Sequence, residues 1–219
     1  DLPPIVGLWP QEHPPDFREI LETEIARQFP SIRIKTVLDF ELNLYDAQTA
    51  TRIGLTNEFI TGPRLDNLIS SFAALEALLE AQPTQTAMVV LNDHEEVGSQ
   101  SAVGAQGPFL SEVLQRLEPD IDKRLQLLSR SFLISADNAH GVHPNFSEKF
   151  DAAHSPMLNA GPVLKINANQ RYASDARTAS VFRLLCREQD VPVQEFVMRS
   201  DLPCGSTIGP MTAARLGLR

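Results

Sequence analysis

Basic residues are in deficit: 19 lysines and arginines face 28 aspartates and glutamates, a formal net charge of −9. That deficit excludes a general nucleic-acid or anionic-membrane binder, which needs a basic surface to neutralise phosphates. Long apolar runs are missing too, and none approaches the ~18 residues that a transmembrane helix requires. With only two cysteines, Cys186 and Cys204, no disulfide framework is available, and a reducing cytoplasm is the expected compartment. The first residues, Asp1 to Pro4, lack the basic and then apolar stretches of a signal peptide. They also lack a Met, so both ends read as cut rather than natural. Aromatics are sparse at 6%, yet hydrophobic residues make up 42% of 219 positions, enough for a sizeable core and against disorder. Neither an internal repeat nor a low-complexity tract is found.

What is present has an α/β rhythm. Prolines crowd the first 15 residues and read as a loop entry. Asp16 is placed to cap a helix running to about Phe29, and alternation over Ile32–Val37 and Phe40–Leu44 suggests two half-buried strands. Beyond about residue 52, a short strand (Asn57–Thr61) leads to a loop ending in Asp66, then an apolar helix from Asn67 to Ala81. In that helix Leu68, Phe72, Leu75, Leu78 and Leu79 are expected to face inward. Thr86–Leu91 reads as a buried strand, Pro108–Leu128 as helical, and Ser131–Ser135 as a strand. Val163–Ile166 and Gln194–Arg199 read as strands on either side of a helix over Ala173–Gln189. Such alternation predicts a mixed, largely parallel sheet with helices on both faces.

The chemistry gathers at strand ends. Asp66, Glu95, Glu96 and Asp137 each follow the carboxyl end of an expected strand, and in open α/β sheets that edge forms the ligand crevice. Four like charges converging there repel unless a cation lies among them, and a divalent metal pair is the economical answer. Neighbours in extended backbone point opposite ways, so one of Glu95 and Glu96 can ligate metal while the other moves protons. Solvated loop residues or helix caps are the plain alternative. His140 and His143 follow Asp137 and suit either loop support or substrate contact. Lys165, in an apolar strand, suits an anionic substrate group or a structural ion pair. The turn-rich Pro203–Pro210 offers backbone amides to a carboxylate or oxyanion. Cys204 within it is a weak nucleophile candidate, lacking a Cys-His-Asn arrangement.

Several stretches together resemble the M18 metallopeptidases, the aspartyl aminopeptidase family. They are Arg64-Leu65-Asp66-Asn67, Asp93 to Ser99, Ser135 to His140, His143-Pro144-Asn145, Arg171-Tyr172-Ala173 and Ser200 to Pro210, in the family's order over nearly the whole chain. The resemblance implies a zinc aminopeptidase-like fold, with residues 1–50 as the end of an inserted, smaller β-rich dimerisation or lid domain. Residues 51–219 would then be part of the catalytic domain. It further implies two zinc ions, Asp66 bridging them, Glu96 and Asp137 each ligating one, and Glu95 as the general base. His140, Lys165 and Tyr172 fall where the family contacts substrate, with Lys165 facing an acidic N-terminal side chain. The implied reaction removes N-terminal Asp or Glu from peptides, within a tetrahedral homo-oligomer, a dodecamer, of the cytoplasm.

The family's early His-x-Asp and late Met-His-Ser motifs, each supplying a zinc histidine, are not found; His13-Pro14-Pro15-Asp16 has another spacing. Phe150 stands where relatives are expected to carry histidine. Carboxylates alone are an unusual zinc shell, so the chain reads as a fragment and, by itself, as a poor catalyst. Two further readings stay open: an M42-type glutamyl aminopeptidase, which shares the Asp, Glu-Glu, Asp order, and a non-catalytic relative acting in assembly or cargo binding.

Overall fold

A computed structural model describes residues 3–10, 12–205 and 207–218. The backbone divides into two compact units, Asp1–Gln48 and Thr49–Arg219.

In the smaller unit, Asp16 caps helix α1 (Phe17–Gln28), its carboxylate accepting from the Arg18 amide at 2.9 Å. The two strands expected at 32–37 and 40–44 do not form: the backbone there is irregular, with a bend at Ile32 and no ladder. The reason lies in where their polar groups go. The Val37 amide donates to Glu22 Oε1 (2.8 Å), while the Val37 and Leu38 carbonyls accept from Arg18 Nη1 (3.0 and 2.5 Å). Side chains of α1 thus take up backbone groups that a neighbouring strand would otherwise pair. Phe17 meets Phe40 edge to face at 5.4 Å.

The larger unit opens with an antiparallel pair, β1 (Thr51–Ile53) and β2 (Phe59–Thr61). Helix α2 (Leu65–Glu80) follows, its first turn broken because Asp66 (φ −82°, ψ 118°) and Asn67 lie outside helical geometry. The helical stretch expected from 108 to 128 is two helices, α3 (Phe109–Leu117) and α4 (Ile121–Ser129). Pro119 separates them: it has no amide to continue the ladder and biases Glu118 towards extended backbone (φ −132°, ψ 95°). Asp120 restarts the helix by accepting from the Lys123 amide at 3.0 Å. Beyond a short 3₁₀ stretch (Pro144–Lys149), β3 (Val163–Ile166) pairs in parallel with β4 (Gln194–Val197). Helix α5 (Ala176–Glu188) connects them and starts at a capping box of Asp175 and Thr178. Helix α6 (Ile208–Leu216) closes the unit, with Gly217 in the left-handed region (φ 68°).

The result is an α/β architecture, with parallel pairing across a helical crossover and a separate antiparallel hairpin. Among the described residues, ladders do not extend to 86–91 or 131–135. Burial explains why: the chain exposes 17477 Å², against roughly 10,000 Å² for a self-contained globule of this mass. An apolar run becomes a strand only when another strand lies alongside at about 4.8 Å. The apolar face of α2 is likewise uncovered, with Leu68, Phe72, Leu75 and Leu79 exposed. Buried apolar side chains concentrate instead around β3, β4 and α5, at Tyr172, Cys186 and Phe196. Gly209, at the start of α6, lies so close to the segment before Asp137 that an added Cβ would stand 2.7 Å from Ser135 Cβ and 3.4 Å from Ala173 Cβ.

Candidate active site

Asp66 and Asp137 come from segments far apart in sequence, and two asparagines bring them together. Asn67 Nδ2 donates to the Ala136 carbonyl at 2.9 Å, and Asn138 Nδ2 donates to the Leu65 carbonyl at 2.9 Å. Ser70 Oγ adds a 3.0 Å bond to Asn138 Oδ1. Each aspartate is therefore flanked by an amide that grips the backbone beside the other. Sequence reading gives Asn67 and Asn138 no role of their own and does not single out Ser70, although the Asp-Asn pair at both 66–67 and 137–138 is the available signal.

Glu95 and Glu96 sit on a tightly folded loop. His94 adopts a left-handed backbone (φ 57°), its amide donating to Asp93 Oδ1 at 2.8 Å and its Nδ1 lying 2.7 Å from Ser101 Oγ. The Gly98 amide closes a turn on the Glu95 carbonyl at 2.9 Å. Ser99, almost wholly buried, takes its amide to His94 and gives its carbonyl to Gln106. The loop fixes the backbone under both glutamates while their side chains keep solvent.

Electrostatics join the two parts. Partial burial raises the pKa of Asp66, and the charges of Asp137 and Glu96 raise it further; Lys165 opposes them. Glu95 is raised in the same way, by burial first and then by Glu96, Asp137 and Asp66, again against Lys165. All four carboxylates therefore lie within one another's field. Lys165 is the cation among them. It stands on β3 with Phe196 of β4 as its register partner, and its Nζ donates to Asp137 Oδ2 at 2.5 Å and to the Asn138 carbonyl at 2.9 Å. Nζ also lies 5.8 Å from the centroid of the buried Tyr172 ring, which meets Phe196 edge to face at 6.4 Å. Burial lifts the Tyr172 hydroxyl well above its ordinary pKa, and a hydrogen bond shared with the Cys204 thiol lifts it further.

Other candidates lie apart from this convergence. His140 is exposed and takes no part in the bonds that join the carboxylates. His143 supports loop backbone, its Nδ1 accepting from the Asn145 amide at 3.1 Å. In the 203–210 segment, Cys204 is half-buried and Thr207 buried, while Ser206 lies outside the described residues.

Among the described residues, no three His, Cys, Asp or Glu side chains already stand at ion-holding distances. The donor chemistry nevertheless fits a divalent cation. Asp66, Glu96 and Asp137 offer carboxylate oxygens, which bind such ions, and a cation there relieves the repulsion that raises Asp66. The imidazole that zinc favours is not part of this group, so these residues could supply only the carboxylate ligands of a metal site.

The chain as a whole is similar to known proteins. The family model described as Aminopeptidase I zinc metalloprotease (M18) matches residues 10–219. The probable M18 family aminopeptidase 2 of Pseudomonas fluorescens (strain SBW25) is 54% identical over 219 residues, all of this chain and 51% of the relative. The chain thus spans about half the length of the curated relatives it matches. Of solved structures, Ape4 in the cryo-EM structure of the Ape4 and Nbr1 complex is similar at 40% identity and TM-score 0.81, covering 91% of this chain and 41% of that one. The Saccharomyces cerevisiae mApe1 dodecamer is similar at 28% identity and TM-score 0.75, covering 92% and 47%.

Proposed function

The chain belongs to the Aminopeptidase I zinc metalloprotease (M18) family, and on that premise we propose that the protein is a zinc aminopeptidase removing N-terminal Asp or Glu from peptides. The observation that carries this reading is the convergence of Asp66 and Asp137, braced by Asn67 and Asn138, within the field of Glu95, Glu96 and Lys165. In this reading Asp66, Glu96 and Asp137 would hold two zinc ions, Asp66 serving both and Glu96 and Asp137 one each. Zinc, when bound, acidifies water and polarises the scissile carbonyl.

The remaining work falls to side chains of this chain. Glu95, its pKa raised by burial and like charge, is suited to take a proton from the attacking water and return it to the leaving amine. We assign Lys165 and Tyr172, which lie side by side, to the acidic P1 side chain, together with the exposed His140. A carboxylate-rich floor favours the free α-ammonium of a peptide, which confines cleavage to the chain end. By likeness to the mApe1 dodecamer we extend the reading to a tetrahedral homo-oligomer, with residues 1–50 as the end of an inserted dimerisation domain. We place the enzyme in the cytoplasm.

Release of p-nitroaniline from Asp-, Glu- and Leu-p-nitroanilides by the intact protein, with and without a chelator, tests the proposal. Chelator-sensitive turnover of Asp and Glu substrates is expected. Turnover of Leu alone would favour the M42-type alternative, and none at all the non-catalytic one.

A further inference from the structure

We propose that Lys165 and zinc compete for the Asp137 carboxylate, so that metal loading releases the Lys165 ammonium to bind the acidic side chain of the substrate. This rests on the zinc assignment of the preceding subsection. The geometry of Lys165 is the starting point. Its Nζ lies 2.5 Å from Asp137 Oδ2 and 2.9 Å from the Asn138 carbonyl, so two of its three N–H donors are committed to one short segment. Both side chains are largely shielded, at 17% exposure for Lys165 and 25% for Asp137, so the pair is not a loose surface contact. Its stem is held by the β3–β4 ladder, which leaves the head of the side chain as the part free to turn.

An ammonium held this way is a poor receptor for a second carboxylate. Asp137 already neutralises it, and the negative charge of Asp137 repels an incoming acidic group. A divalent ion on Asp137 changes both terms: it withdraws the oxygen that Lys165 uses, and its own charge repels the ammonium. Lys165 then turns from Asp137 towards the substrate side, where the Tyr172 ring, 5.8 Å away, lines its path. Acid specificity and metal occupancy are in consequence linked, and linkage is reciprocal: an acidic ligand on Lys165 also tightens zinc.

The test measures zinc affinity of the intact protein against a competing chromophoric chelator. Lys165→Met should bind zinc about tenfold more tightly than the unaltered protein, because the competing charge is gone. Equal or weaker binding overturns the competition. Since that variant can fail to fold, a second measurement uses the unaltered protein: acylation of Lys165 by an amine-reactive reagent, read by mass spectrometry, should quicken several-fold when zinc is added. An unchanged or slower rate overturns the proposal. Asp137→Asn separates the two levels. Zinc affinity unaffected by that change removes Asp137 as a ligand and the function reading with it. Weakened affinity in Asp137→Asn beside unchanged affinity in Lys165→Met removes the competition alone.

Discussion

Residues 163–216 and residues 86–139 meet the same requirement, holding a polar side chain at the end of an apolar run, by different means. In the first stretch the work is collective: β3 pairs with β4, Lys165 stands opposite Phe196, and α5 ties the two strands through a capped crossover. In the second the apolar runs carry no ladder among the described residues, and single side chains do the positioning. Asn67 and Asn138 brace the two aspartates, and Ser101 with His94 shapes the loop under Glu95 and Glu96. A ladder spreads the loss of one contact over many bonds, whereas a brace concentrates it. The candidate site draws its cation from the collective stretch and its glutamates and Asp137 from the braced one.

The largest effect that sharpens this contrast is chemical. Glu95→Gln should lower kcat on an Asp-p-nitroanilide by about 10³ while zinc content, read by metal analysis, stays nearly unchanged. Loss of metal would move Glu95 from proton carrier to ligand. Next comes the core of the collective stretch. Phe196→Ala should cost about 3 kcal/mol in thermal unfolding, since Phe196 is buried against Tyr172. The smallest is the brace: Asn138→Ala should cost roughly 1–2 kcal/mol, having lost the bonds to Leu65 and Ser70, yet weaken zinc retention on dialysis more than Phe196→Ala does. If Phe196→Ala released more zinc than Asn138→Ala, the division between collective and braced positioning would fail.

Much of this was legible in the sequence where local chemistry decides. Asp16 as a cap, Val163–Ile166 as a strand and a helix between residues 173 and 189 follow from capping residues and apolar spacing that neighbours do not override. The position of Asp66 before an apolar helix and of Asp137 beyond an apolar run was legible for the same reason. What could not be read depends on partners. The apolar run at 86–91 is exposed or half-buried, because nothing in the run specifies which strand lies beside it. The segment at 32–37 has strand alternation, but Glu22 and Arg18 take its polar groups, a contact 15 to 20 residues distant. At 118–120 the signal was present and underweighted: Glu118-Pro119-Asp120 spells the end of one helix and the start of another. The Asn67–Asn138 brace shows in retrospect as a repeated dipeptide, whose meaning appears only once both copies are adjacent.

Gly209 works as a spacing gauge. With Ser135 on one side and Ala173 on the other, the clearance there is too small for a single extra carbon. Ser135 sits two residues before Asp137, and Ala173 directly follows Tyr172, so the segments that carry both side chains are spaced from one backbone point. Any side chain introduced at that point would push α6 away from Ser135 and Ala173 and so disturb the segments that carry Asp137 and Tyr172, even though it would touch neither of those side chains.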